Sequence, residues 1–237
     1  MDSYRRCTVP VVIRRLGTTP SPSAIGLVLA FVLTVSALTA AQAAHAISVE
    51  ALAASPRNVA AGKVWLLVSS GLVVQSPLAL SLLSFTLLAL LTLFVCGSQV
   101  LWAAAFLGHV CSTLIVYATI GVAGLGDADR VRHVAALQDY GVSAIAAAWL
   151  GATAAVAWRR RGPRLMDKAP IVLSCLAVAL FAWMLRGHLN VLDSEHMLAF
   201  GIGAALAGPR WKLAARPARP GFAAAASASQ GAPGSRA

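Results

Sequence analysis

Between Lys63 and Asp127 the chain carries no Asp, Glu, Lys or Arg, and only His109 interrupts the run. A helix crosses bilayer hydrocarbon in roughly 20 residues, so an interval of this length holds at least two membrane spans. A water-facing domain would need charges on its solvated surfaces. Composition points the same way: 59% of the 237 residues are hydrophobic and 11% are charged, which excludes an ordinary soluble fold.

Further charge-free runs extend from Leu16 to Ala44, from Tyr140 to Trp158 and from Ala169 to Leu185. The last, Met197 to Pro209, reaches span length only if its helix begins near Val191 and takes Asp193, Glu195 and His196 into its outer turn. The expected fold is therefore all-α, a polytopic integral membrane bundle of six transmembrane helices at about 24–46, 75–96, 100–121, 140–158, 169–187 and 191–209. Val64 to Val74 is apolar but left over, which suits an interfacial or re-entrant segment, and Gly97-Ser98-Gln99 suits a tight turn. Flanking the membrane domain (23–209) are a basic tail (1–22) and a second basic tail (210–237). The latter is rich in Ala, Ser, Gly and Pro, too little apolar surface to bury a core.

Charge sets the orientation. Arg5, Arg6, Arg14 and Arg15 precede the first span, five basic residues lie between spans four and five, and five more follow span six. With six spans these fall on one side, and the positive-inside rule makes that side cytoplasmic, so both termini are expected inside (N-in/C-in). The net charge of +11 then reads as an orientation signal and an attraction for anionic membrane lipids, and implies no nucleic acid. Richness in Ala, Gly and Arg suits a high-GC bacterial genome and hence a bacterial cytoplasmic membrane. A basic leader, an apolar run and Ala41-Gln42-Ala43 also resemble a cleavable signal peptide, but a leader of more than 20 residues and a span-length run favour a retained first span. Cys7, Cys96, Cys111 and Cys175 form no metal-type pair.

Few polar residues remain to carry chemistry. Ser143, Ala147 and Gly151 share one face of the fourth span, and His196, Ala199, Gly203 and Ala207 follow much the same spacing on the sixth. Small residues at that spacing let two helices approach closely, with Ser143 opposed to His196. The imidazole could then take the hydroxyl proton and leave a nucleophilic oxygen. Taken singly, a serine in a span commonly bonds its own helix carbonyls, and an interfacial histidine can simply be wetted. Asp139, at i−4 from Ser143, and Asp193, at i−3 from His196, are expected to face those residues along their helices, as boundary markers or as an acid orienting the imidazole. His109, mid-span, is expected to face the bundle interior, where ionisable groups are costly. A metal reading would draw on His109, Asp139, Asp193, Glu195 and His196, but they lack any zinc spacing, so no metal and no cofactor is expected. A small transporter would want inverted repeats or broken helices, and no internal repeat is evident.

Gly141-Val142-Ser143 on the fourth span, Gly151 after it, His196 with Ala199 and Gly203 on the sixth, and Trp65-Leu66-Leu67-Val68-Ser69-Ser70 before the second resemble the rhomboid superfamily of intramembrane serine proteases. The resemblance covers about residues 60–209, and Gly108-His109 narrows it to divergent actinobacterial rhomboid-like proteins. It implies a Ser143 nucleophile, a His196 base and a transmembrane protein as substrate or client. The departures lie on the oxyanion side. Where active rhomboids carry His-x-x-x-Asn, this chain reads Ser84-Phe85-Thr86-Leu87-Leu88-Ala89, and a Trp-Arg motif in the first external loop is missing. One oxyanion donor is worth about 2.7–4 kcal/mol. Gln75, His109 or backbone amides near Ser143 are the available substitutes. Two functions follow: a rhomboid-like protein that binds transmembrane clients with little or no catalysis, placed first because the oxyanion pair is absent, and an active intramembrane serine protease.

Overall fold

Ser21 and Pro22 start the first helix, α1 (Pro22–Ala43): the serine hydroxyl accepts the Ala24 amide at 3.2 Å, and proline stands where no amide proton is needed. The helix closes at Ala43, just before His45 turns to a φ of 57°. The computed structural model describes residues 19–74, 77–126, 132, 134–139, 141–159 and 191–208. The expected span at 169–187 lies outside the described residues, as do Gln75 and residues 1–18 and 209–237 of the two tails.

Val28, Val35 and Thr39 form the buried seam of α1, while Leu27, Leu29 and Leu33 remain exposed. An apolar outer face of this kind suits lipid, where a helix satisfies its own backbone and packs by shape. Among the described residues, three helices are long and apolar enough to cross a membrane: α1 and two described below, Leu78–Cys96 and Ser98–Gly124. The chain is thus a helical membrane protein. Among the described residues no β-strand occurs, only an isolated bridge between Ala54 and Asp139.

After α1 come three short helices, α2 (Val49–Leu52), α3 (Pro56–Ala60) and α4 (Leu66–Ser69), the last running into a 3₁₀ turn at Ser70–Leu72. They are tied down from several sides. Ala54 and Asp139 exchange backbone hydrogen bonds at 2.9 and 2.8 Å, the Ser69 hydroxyl donates to the Leu52 carbonyl at 3.0 Å, and the Val74 amide donates to Thr39 Oγ1 at 3.1 Å. Exposed Glu50 joins in: hydrogen bonds from its own backbone, then from Ser48 and Gln138, hold its carboxylate below the usual range. The apolar segment before the second long helix is therefore a folded-back turn with buried Leu66, Leu67 and Val73.

The two membrane-length helices that follow are α5 (Leu78–Cys96) and α6 (Ser98–Gly124), separated by Gly97 alone. Gly97 has a φ of 88°, a conformation glycine adopts without steric cost, and its amide and carbonyl bond Leu93 and Leu101 at 3.0 Å each. Two further helices, α7 (Ser143–Arg159) and α8 (Val191–Leu206), complete the described bundle. The α7 start falls three residues after the expected 140 for a physical reason. Gly141 has a φ of 134°, and the amides of Gly141 and Val142 donate to the carbonyls of Ser70 and Val73 at 2.8 and 3.0 Å, so this stretch is held out of the helix.

Close backbone contact defines the packing of α6, α7 and α8. A Cβ at Gly151 would overlap the Phe200 carbonyl, and one at Gly203 would overlap the Ala148 carbonyl. On its other side, Ala148 presses its methyl group against Gly108 of α6. Only small residues allow helices this near. Aromatic rings bind the remaining helices: Trp149 stacks on Phe85 at 4.9 Å between centroids, and Phe31 meets Phe85 at 6.0 Å and Trp102 at 5.5 Å. The Trp149 indole donates to the Leu101 carbonyl at 2.9 Å, so its one polar atom is satisfied in the core. Arg159 donates to the carbonyl of Ala207, placing a cation at the C-terminal end of α8, where the helix dipole favours it.

Candidate active site

Ser143 is the first residue of α7, and His196 lies one to two turns into α8. The glycine contacts at Gly151 and Gly203 bring these two helices together, and the two side chains meet near the N-terminal ends of both. Ser143 Oγ and His196 Nε2 are 2.8 Å apart, a hydrogen-bond distance that permits proton transfer from hydroxyl to imidazole. Both residues are half-buried, so the pair is sheltered yet reachable. Ala147 and Ala199 are fully packed, and Gly141 supplies the turn from which Ser143 enters its helix.

The turn is fastened from below. The carbonyls of Ser70 and Val73 take the amides of Gly141 and Val142, which removes both amides as oxyanion donors. The next amides, those of Ser143 and Ala144, stand in the first turn of α7, where no carbonyl of the same helix can accept them. They carry the positive end of the helix dipole beside the serine oxygen.

A second polar group lies deeper, built on His109 and Glu195, which the sequence offered as candidates, and on Ser70 and Thr113, whose part in it was not legible there. His109 Nε2 is 3.1 Å from the hydroxyl of Ser70, and its ring rests on Gly71, where a Cβ would come within 2.8 Å of His109 Cδ2. On the far side His109 Nδ1 is 3.7 Å from Glu195 Oε1, with no hydrogen-bond partner among the described residues. The Thr113 hydroxyl donates to the same carboxyl oxygen at 2.6 Å and also lies 2.8 Å from the His109 carbonyl. Ser70, Glu195 and His109 are 0%, 2% and 3% exposed, so this cluster is closed off where the Ser143 pair is open. His109 does face the bundle interior, but its ring nitrogens are turned to Ser70 and Glu195, which leaves it unsuited as an oxyanion donor for Ser143.

Asp139 requires a correction. An i−4 relation to Ser143 along one helix does not hold, because Asp139 precedes α7 in an extended segment bridged to Ala54. Its carboxylate instead accepts from the Tyr117 hydroxyl at 3.4 Å and lies beside the Glu195 carboxyl. Asp193 stands in the first turn of α8, and both it and Asp139 are close enough to His196 to act on it electrostatically. Glu195 was readable as an acid at a helix start and as one of five candidate metal ligands, but not as the buried partner of Thr113. Helical geometry turns it about 100° from His196, towards α6, and a buried hydroxyl three to four residues from a buried histidine (Thr113 after His109) was the available signal. Among the described residues no group of three or more His, Cys, Asp or Glu side chains is arranged to hold a metal ion.

No family model matches the chain, and comparison with curated proteins and with solved structures found no match.

Proposed function

We propose that this chain is a rhomboid-like intramembrane serine protease, a six-span N-in/C-in bundle of a bacterial cytoplasmic membrane that cleaves transmembrane protein segments. The observation that carries the reading is the 2.8 Å contact between Ser143 Oγ and His196 Nε2, made by two half-buried residues on closely packed helices. In this scheme Ser143 Oγ attacks the scissile carbonyl carbon while its proton passes to His196 Nε2. The oxyanion is met by the Ser143 and Ala144 amides at the start of α7, in place of the absent side-chain pair. Collapse of the tetrahedral adduct breaks the C–N bond, and His196 returns the proton to the leaving amine. Water, deprotonated by the same imidazole, then releases the acyl group from Ser143.

A second reading, client binding without cleavage, is favoured by one observation. In the α5 stretch that stands where active rhomboids carry His-x-x-x-Asn, the hydroxyls turn back onto their own helix, Ser84 to the Ser81 carbonyl and Thr86 to that of Leu82. Fluorophosphonate labelling of the detergent-purified protein separates the two. Labelling of the wild type that disappears in Ser143→Ala and His196→Ala, each matched to wild type by thermal melt, supports the protease. A folded wild type that stays unlabelled beside a labelled rhomboid control supports client binding.

A further inference from the structure

The segment leading to Ser143 is bridged to Ala54 at Asp139, and after that bridge the amides of Gly141 and Val142 are held by the carbonyls of Ser70 and Val73. The position of the nucleophile therefore depends in part on what fixes the 3₁₀ turn at Ser70–Leu72. Hydrogen bonds from Ser69 to Leu52 and from Val74 to Thr39 flank this turn, and the side chain packed directly on it is His109. Its ring lies on the Gly71 backbone, its Nε2 engages the Ser70 hydroxyl at 3.1 Å, and its other nitrogen faces the buried Glu195 carboxyl at 3.7 Å. Thr113 holds the carboxyl in turn, at 2.6 Å.

We propose that His109 is a positioning residue for Ser143: braced by Glu195 of α8, it locks Ser70 and Gly71 so that their segment holds the Gly141–Val142 turn, and with it the serine oxygen, against His196. This deepens the protease reading and rests on it for its kinetic consequence, though the mechanical link from His109 to Gly141 stands apart from any reaction. The link also ties the two partners together from opposite ends. Glu195 is the neighbour of His196 in the chain, and Ser70 is the acceptor for the turn that leads to Ser143.

The test combines two readouts on His109→Leu, which removes both ring nitrogens, and His109→Gln, which restores a polar group at the reach of Nε2. The first is the concentration dependence of fluorophosphonate inactivation, separating the limiting rate from the affinity. The second is hydrogen exchange of a peptide spanning residues 139–145. We expect His109→Leu to lower the limiting rate roughly 10- to 100-fold with affinity unchanged, the usual effect of a displaced reacting group. It should also speed exchange in the peptide, and His109→Gln should restore most of both. Wild-type rate and wild-type exchange in His109→Leu would overturn the proposal. So would equal losses in Leu and Gln variants that simply track a lowered melting temperature. Should the wild type not label at all, the protease reading fails while the exchange readout still decides: faster exchange in His109→Leu supports the brace, and unchanged protection overturns it.

Discussion

Gly203 of α8 lies so close to Ala148 of α7 that a Cβ on the glycine would overlap the alanine carbonyl oxygen. The same relation, reversed, holds between Gly151 and Phe200. These paired contacts set the distance between the helices that carry Ser143 and His196. The proposed chemistry therefore depends on residues with no chemistry of their own.

Gly203→Val should force the helices apart. Overpacking of this kind costs typically about 1–3 kcal/mol, and the Ser143–His196 contact should be lost with it. Thermal unfolding in detergent and fluorophosphonate labelling should both fall. Gly201→Ala, at a position with open space around it, should leave both unchanged.

The two Ser–His contacts differ in access rather than in distance, 2.8 Å for Ser143–His196 and 3.1 Å for Ser70–His109. Ser70 is 0% exposed, so a phosphonate should modify Ser143 alone. Peptide mass spectrometry of the labelled protein checks this. An adduct on the peptide carrying Ser70 would contradict it.

Thr113 is the hydroxyl donor to buried Glu195, and Thr113→Val leaves that carboxyl without it. Leaving a buried polar group short of its partner costs about 1–3 kcal/mol, so the variant should unfold earlier in a denaturant titration. Thr113→Ser, which keeps the hydroxyl, should recover most of the loss.

Trp149 fills the centre of the bundle, stacked on Phe85 and bonded to Leu101. Trp149→Ala should cost about 3–5 kcal/mol through the cavity it leaves. Trp149→Phe keeps a ring on Phe85 and leaves the Leu101 carbonyl without the indole donor, a loss of about 1 kcal/mol. The ordering of the two melts checks the assignment.

Much of the fold was legible in where the charges are missing. α1 and the far end of α6 follow the charge-free runs, because a residue that would strand a charge in hydrocarbon ends a span, whereas α5 and α6 part at Gly97 and α8 takes Asp193, Glu195 and His196 into its first turns. The spacing of Ser143, Ala147 and Gly151 against His196, Ala199 and Gly203 was legible too, since one helical period governs both faces. What stayed hidden was made by long-range contact. Ser70 sits in an apolar segment without helical or strand period, and nothing local says that its carbonyl will receive the Gly141 amide 71 positions later. Asp139 was misread for the same reason: its helix start is overridden by a bridge to Ala54 that only the folded chain can make.

The one-residue link at Gly97 has a bearing on biogenesis. Two membrane-length helices joined by a single residue leave no slack for separate insertion, and the run from Lys63 to Asp127 offers the translocon no charge to retain on either side. α5 and α6 must then partition into lipid together, as one helical hairpin.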